Sequence, residues 1–547
     1  LTRSTAQVEQ TAHPRVLRSV SVVSMMTAVS RILGLAREVA MAYFFGTSAL
    51  KSAFDIAFVV PNLFRRLFGE GALSSAFVPI FSETMVKEGR EQAYVFARRL
   101  ITLLVVFMST VTLAGILLSY PLAAILPPES RWLLPLPMLR VMLPYAVLIC
   151  VAALVSGMLN TLGKFAISSL TPFLLNLIWL ATLFCVFPFV RDLPEQRIMV
   201  LSWAVLLAGL AQLLFQLPSL ARSGFRFSLC FKGVRTDPKL RRVLRLMGPA
   251  ALGIGLIQIN VCMDKMLAFW ADPGAPAMLE YAERLIYLPL GMFGTAFMTV
   301  LLPTFSKQSA AGDMDGMRST LERAIRNLAV IMAPCSLALV VLALPLIELI
   351  YSFKGGQFDQ EAAVLSARAL AAYAPGLLFF SFQKAVVPAF YGRQDLRTPV
   401  RVSMFGLVLN VVLNVTSVLL LPHGWKHAGI AASTVLTSIV NGLTLAVILH
   451  RRQGAPRVGA VLVPVLKALA CALVMAVAAR AVFAACGGGA FGTLPGGKIG
   501  QVAVMSVTIA AGVLVYGGLM LLVSRAELIE MAGDLLGRKK LRRGGNG

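Results

Sequence analysis

Two apolar stretches within residues 30–83 carry Arg31, Arg37, Glu38, Arg65, Arg66 and Glu70. An arginine at the centre of a membrane helix costs about 2.5–3.5 kcal/mol even on the lenient insertion scale, so four in consecutive spans mark a polar interior that receives an anion. Helical phase puts Arg31 and Glu38 on nearly one face of the first stretch, with Ser30 above Arg37. Two readings are open there: a ligand cluster, or a Glu38-neutralised arginine whose neighbours reach the headgroups. In the second stretch Asn62, Arg66 and Glu70 stack at i, i+4 and i+8, so Arg66 is expected to be held by Asn62 and Glu70. Arg65, one residue round, is then the better ligand candidate. Pro61 removes a backbone hydrogen bond, and Gly69 and Gly71 loosen the next turn, which predicts a bend or break lining a cavity or a purely structural kink.

Further along, LEYAERLIYLP (residues 279–289) places Glu283 and Arg284 in an apolar run just ahead of a proline. Guanidinium groups suit phosphate because their planar forks donate paired hydrogen bonds and stay charged. A set drawn from Arg31, Arg37, Arg65 and Arg284 matches a pyrophosphate better than a sugar or an organic cation. Other polar residues in apolar runs carry less information. Asn260 and Asp264 share a face, as do Asn410 and Asn414, and Thr437 sits in the following run; they are weak candidates for a sodium site, with hydrogen bonding between helices as the alternative. The seven cysteines are scattered without a CxxC pair and read as small apolar residues. His423 and His427 share an i, i+4 spacing, but LPHGWKHAG reads as a solvated outer turn.

The elements that position these residues follow from composition. With 58% hydrophobic and 14% charged residues over 547, the chain is an all-α polytopic membrane protein, not a soluble globule. About fourteen transmembrane helices are expected, centred near residues 30, 65, 108, 148, 176, 207, 258, 292, 336, 376, 409, 438, 471 and 512. No cleavable signal peptide is expected, since the first apolar run is long and interrupted by arginines. The net charge of +25 concentrates in alternate loops, most densely in 222–245 and 538–543. That is the positive-inside asymmetry; it places both termini in the cytoplasm and argues against nucleic acid as a partner.

Two six-span blocks emerge, the second span of each ending in a similar tag, Pro79-Ile-Phe-Ser82 and Pro303-Thr-Phe-Ser306. An even number of spans per block makes these parallel repeats, an arrangement that binds its cargo between the halves near the midplane. The expected divisions are an N-terminal six-helix lobe (1–235), a C-terminal six-helix lobe (236–452), and two extra helices with a basic tail (453–547).

SRILGLARE, PNLFRRLFGEGALSSAFVPIF, YAERLIYLP with PTFSK, and FYGRQDLRTPV together resemble the MurJ (MviN) family of bacterial lipid II flippases, over essentially the whole chain. The resemblance implies the MOP-superfamily fold, two six-helix lobes around a central cavity plus two helices lining a lipid-tail groove. It also implies movement of undecaprenyl-pyrophosphate-linked disaccharide-pentapeptide from the inner to the outer leaflet of the bacterial cytoplasmic membrane, for peptidoglycan synthesis, by alternating access. The family's cavity arginines carry onto Arg31, Arg37, Arg65 and Arg284, its acidic and polar neighbours onto Glu38, Glu70 and Ser30. One position departs: where members commonly have an aspartate nine residues before the PNLxRR proline, this chain has Ser52, with Asp55 three residues on. Some members bind sodium in spans seven and eleven, which Asn410 and Asn414 fit in part.

No cofactor is expected; coupling to a sodium ion or to the membrane potential stays open. The expected partners are lipid II and membrane lipids, with the chain acting as a monomer. An enzyme transferring phosphate or sugar would need clustered carboxylates, a metal set or a histidine base, and none appears in the sequence. The alternative function is another MOP-type exporter, of oligosaccharide-lipids or drugs. A drug exporter for cations would call for an acidic cavity, which the four arginines oppose.

Overall fold

The computed structural model describes residues 26, 29–453, 458–489 and 497–525, without the side chains of 69–72, 75, 249, 250, 295, 453 and 458. Among these the chain is helical throughout and has no strand. Eleven helices are long and apolar enough to cross a membrane, and a twelfth span arises if the pair Gln360–Tyr373 and Gly376–Tyr391, bent by 42°, counts as one. The other two of the fourteen expected spans, near residues 30 and 65, are helical but do not meet that standard among the described residues. The first is described only from residue 29 to 45, and the second is charged and interrupted by a wider turn. The basic residues 3, 15, 18 and 538–543 lie outside the described residues.

The chain forms two compact units, one running to Ala277 with Gly355–Gln357, the other Met278–Lys354 with Phe358 onward. The first contains α1 (residues 29–45), α2 (Ala49–Phe64), α3 (Ala72–Lys87), α4 (Arg90–Ile125), α5 (Pro135–Thr161), α6 (Phe165–Ala181), α7 (Pro194–Ala221) and α8 (Pro238–Ala271). α5 is its centre, packed by α2, α4 and α7. A Cβ on Gly209 of α7 would come within 2.6 Å of the Tyr145 ring of α5, so the missing side chain lets these helices close on each other. α8 packs along α3 in this unit, although its sequence stands at the head of the second block. Ion pairs hold its start: Asp237 accepts from Arg99 (2.9 Å), Lys239 meets Glu88 (2.6 Å) and Arg242 meets Glu83 (2.9 Å). Asp237 also caps the helix through the Lys239 amide at 2.9 Å.

α9 (Ala275–Pro289) leads into the second unit, with α10 (Thr295–Ala310), α11 (Met314–Val341), α12 (Ala343–Tyr351), α13 (Gln360–Tyr373), α14 (Gly376–Tyr391), α15 (Arg397–Leu420), α16 (Lys426–Gln453), α17 (Val458–Ala485) and α18 (Lys498–Val523). α11 packs on α14 on one side and α17 on another, and α17 pairs with α18. A Cβ on Gly392 would lie 2.9 Å from the Phe305 carbonyl carbon and 3.0 Å from the Ser306 amide. Two of the sequence motifs, PTFSK and FYGRQDLRTPV, therefore meet backbone to backbone at a position only glycine fits.

The repeat seen in the tags extends to backbone geometry. A π-helical turn, Arg65–Gly71, joins α2 to α3, and another, Leu290–Gly294, joins α9 to α10. Arg65 lies 14 residues before Pro79, and Leu290 13 before Pro303. Such wide turns free backbone carbonyls and are concentrated at functional sites. The bend expected after Pro61 is this turn.

Candidate anion-binding site

α1 carries Ser30, Arg31, Arg37 and Glu38. Arg31 is exposed, whereas Glu38 is only 2% exposed. The Arg37 guanidinium donates to Glu38 Oε1 at 2.7 Å and to Asn176 Oδ1 at 3.3 Å, and lies 4.4 Å over the Trp179 ring. Asn176 in turn donates to the Ser30 carbonyl at 3.2 Å. Arg37 is thus fixed by its adjacent carboxylate, by an amide and by an aromatic face, while its Nε finds no acceptor among the described residues. Of the arginines of α1, Arg37 is the one seen paired with Glu38, although helical phase puts Arg31 on nearly the same face as the carboxylate. Asn176 and Trp179 escaped the sequence reading, although their i, i+3 spacing inside apolar α6 marks one polar-aromatic face.

At the first π turn the expected pairing is reversed. Arg65, not Arg66, is held by Asn62, its Nε donating to Oδ1 at 2.8 Å. Arg66 instead reaches Gln258 of α8 at 3.2 Å. Arg65 and Arg66 stand three and four residues after Asn62, both within helical contact spacing, and the tertiary contact with Gln258 takes Arg66. Glu70 sits in the same turn, and its side chain lies outside the described ones.

Asp55 has a different environment. It is buried, 6% exposed, and accepts from the equally buried Lys51 at 2.5 and 2.6 Å. Ser52, at the place of the family's aspartate, is fully buried and accepts from the Ala277 amide at 3.3 Å. In the second unit Arg284 is half-buried on α9, six residues before the π turn, and neighbouring Glu283 accepts from the Tyr373 hydroxyl at 3.1 Å.

The sodium candidates divide between the units. Asn260 and Asp264 lie on α8, where Asn260 Oδ1 is buried with no donor among the described residues. Asn410 and Asn414, fully buried on α15, bond to each other at 2.9 Å, and Asn410 leans toward Thr434 of α16 at 3.5 Å. Thr437 is buried on α16 without a partner for its hydroxyl among the described residues. No cluster of three or more His, Cys, Asp or Glu suited to a metal occurs among the described residues. His427 is not solvated as expected: it is buried and bonds the Leu365 carbonyl at 2.8 Å, because the first turn of α16 packs on α13. The seven cysteines are free. A cavity of about 510 Å³ opens between the starts of α2 and α7, beside Glu129, Arg131 and Glu195; none of the arginines above lines it.

The geometry is that of a cation-bearing membrane interior, in which two arginines sit on prepared amide, carboxylate and aromatic supports. The family model described as "Lipid II flippase MurJ" matches residues 41–493. A probable lipid II flippase MurJ of Vibrio cholerae is 35% identical over 445 residues, covering 79% of this chain and 82% of that protein. The lipid II flippase MurJ of Burkholderia cenocepacia is 33% identical over 442 residues, covering 80% and 84%. Among solved structures, lipid II flippase MurJ in an inward closed conformation matches with a TM-score of 0.73 at 24% identity, over 92% of this chain and 99% of that one. An inward-facing multidrug MATE transporter of the MOP superfamily matches at 0.63 and 15% identity, over 79% and 98%; both likenesses speak to the fold alone. On the family match and the identity across four-fifths of its length, this chain belongs to the MurJ family of lipid II flippases.

Proposed function

We propose that this chain moves lipid II from the inner to the outer leaflet of the bacterial cytoplasmic membrane by alternating access, with Arg31, Arg37, Arg65 and Arg284 contacting the pyrophosphate. The observation that carries this reading is the preparation of Arg37: its guanidinium is oriented by the Glu38 carboxylate and the Asn176 amide over the Trp179 ring, while its Nε has no acceptor among the described residues. Family membership supports the substrate. Glu38, Glu70 and Glu283 tune the cations, Ser30 and Asn62 support them through the helices they share, and Arg66 braces the first π turn against α8 through Gln258.

The charged headgroup and the polyprenyl tail have separate needs. α17 offers Leu462, Leu466 and Leu473 on its exposed side, a surface suited to an isoprenoid chain or to membrane lipids. The loop-charge asymmetry supports cytoplasmic termini. A monomer, with no enzymatic step and no nucleic-acid partner, fits the same reading. Coupling to the membrane potential or to a sodium ion belongs to it as well, with Asn260 in the first unit and Thr437 in the second each keeping a buried oxygen without a partner among the described residues. The alternative exporter of oligosaccharide-lipids or drugs has only a fold likeness behind it.

The test is growth rescue of a bacterium depleted of its own lipid II flippase. Wild-type protein should restore growth. Arg31→Ala, Arg37→Ala, Arg65→Ala and Arg284→Ala should insert normally and fail, with lysine a poor substitute where two parallel hydrogen bonds are required. Normal rescue by all four alanine variants at ordinary expression would remove the arginines from the proposal.

A further inference from the structure

The π turns at Arg65–Gly71 and Leu290–Gly294 occupy matching places in the repeat and differ in charge. The first carries Arg65, Arg66 and Glu70 within it; the second, Leu-Gly-Met-Phe-Gly at 290–294, carries no charged residue. The cation missing from the second turn is supplied by a neighbouring helix. α14 packs against this turn, and a Cβ placed on Gly294 would lie 3.5 Å from the Lys384 Cγ. The lysine stem therefore lies within van der Waals reach of the end of the π turn.

Lys384 is half-buried, seven residues before the end of α14. It forms no hydrogen bond or ion pair with any described residue, whereas adjacent Gln383 is committed to the Ser438 hydroxyl and carbonyl at 2.8 Å. Lys384 stands at the middle of α14, eight residues after its start and seven before its end, so its ammonium is remote from both helix ends. A lysine held in a span without a carboxylate is costly unless an anion meets it during the working cycle.

We propose that Lys384 is a substrate-contacting residue of the second unit, an ammonium that meets the diphosphate of the lipid beside the π turn Leu290–Gly294 as Arg65 does at the first turn. This rests on the pyrophosphate reading above. An ammonium acts as a point charge with rotatable donors, so it follows a diphosphate through changing orientations where a rigid guanidinium fork would fix it.

The experiment measures binding of lipid II and of undecaprenyl monophosphate to the purified full chain in nanodiscs, for wild type, Lys384→Met, Lys384→Gln, Lys384→Arg and Arg65→Ala, each checked for unchanged thermal stability. The two neutral variants guard against one failing to fold. Loss of a charged hydrogen bond predicts about ten- to a hundredfold weaker lipid II binding in the neutral variants, a smaller loss for the monophosphate, and substantial recovery with arginine. Wild-type binding by the neutral variants, together with loss in Arg65→Ala, would overturn the role of Lys384 and leave the arginine reading standing. Unchanged binding in all variants would overturn both. Loss that arginine does not restore, or that is equal for both lipids, would show a packing role and refute the proposal.

Discussion

Replacing Lys51 by methionine removes the cation of a buried pair and leaves Asp55 as a carboxylate that is 6% exposed, its former partner having been 1% exposed at 2.5 Å. An ion pair this buried contributes little relative to apolar residues of the same volume, because desolvation offsets attraction; removing one member is costly, since the other loses a buried countercharge. Lys51→Met should therefore lower stability by about 3–5 kcal/mol. That is roughly two to three and a half powers of ten in the unfolding equilibrium. The double variant Lys51→Met/Asp55→Leu should recover most of the loss, giving a coupling of several kcal/mol in a double-mutant cycle. The readout is unfolding of purified protein in detergent, followed by tryptophan fluorescence, with lipid II transport measured on the same variants. A folded double variant that still transports would assign Asp55 to structure. If Lys51→Met cost less than about 1 kcal/mol, or the two substitutions proved additive, the pair would not be the buried, mutually dependent unit described here.

At the turn between α14 and α15, burial pushes the Asp395 carboxyl up, but hydrogen bonds from Thr398 and the nearby Arg452 charge outweigh it and hold it below its ordinary value. A depressed carboxylate contributes stability that is present above its unfolded pKa and lost as pH falls through the folded one, so Asp395→Asn should flatten the acid limb of the stability profile in melts across that range. Gly392→Ala should destabilise by about 1–3 kcal/mol, read by thermal unfolding, because its new methyl meets the backbone of Phe305 and Ser306 and neither can move aside. Glu38→Gln with Glu70→Gln should alter lipid II affinity and transport rate while preserving substrate choice; unchanged rate and affinity in competition assays would show that these carboxylates do not tune the arginines.

Much of this architecture is legible in the sequence because lipid imposes a simple rule: apolar runs of about 20 residues become helices, and charges inside them stand out. The arginines and the break after Pro61 were visible for that reason. Details of pairing were not. Which of Arg65 and Arg66 meets Asn62 is decided by a tertiary partner, Gln258, 192 residues away from Arg66 in sequence. Asn176 and Trp179 lie 139 and 142 residues from Arg37 in sequence, so only tertiary packing brings them to it. Lys384 was hidden differently: a single lysine in an apolar helix looks like an interfacial anchor until Gly294 and the second π turn are seen beneath it. His427 looked solvated because LPHGWKHAG is rich in turn formers, yet the helix begins early enough to bury its ring.

The most direct measurement is lipid II translocation in proteoliposomes containing only this protein, with labelled lipid II in both leaflets and a membrane-impermeant enzyme that cleaves its pyrophosphate from outside. Wild-type protein should make nearly all of the lipid cleavable over time, whereas Arg65→Ala vesicles should stop at the outer-leaflet half, as empty vesicles do. Protection of the inner half in wild-type vesicles with a potential and a sodium gradient applied, or equal cleavage with Arg65→Ala, would contradict translocation driven through the arginine contacts.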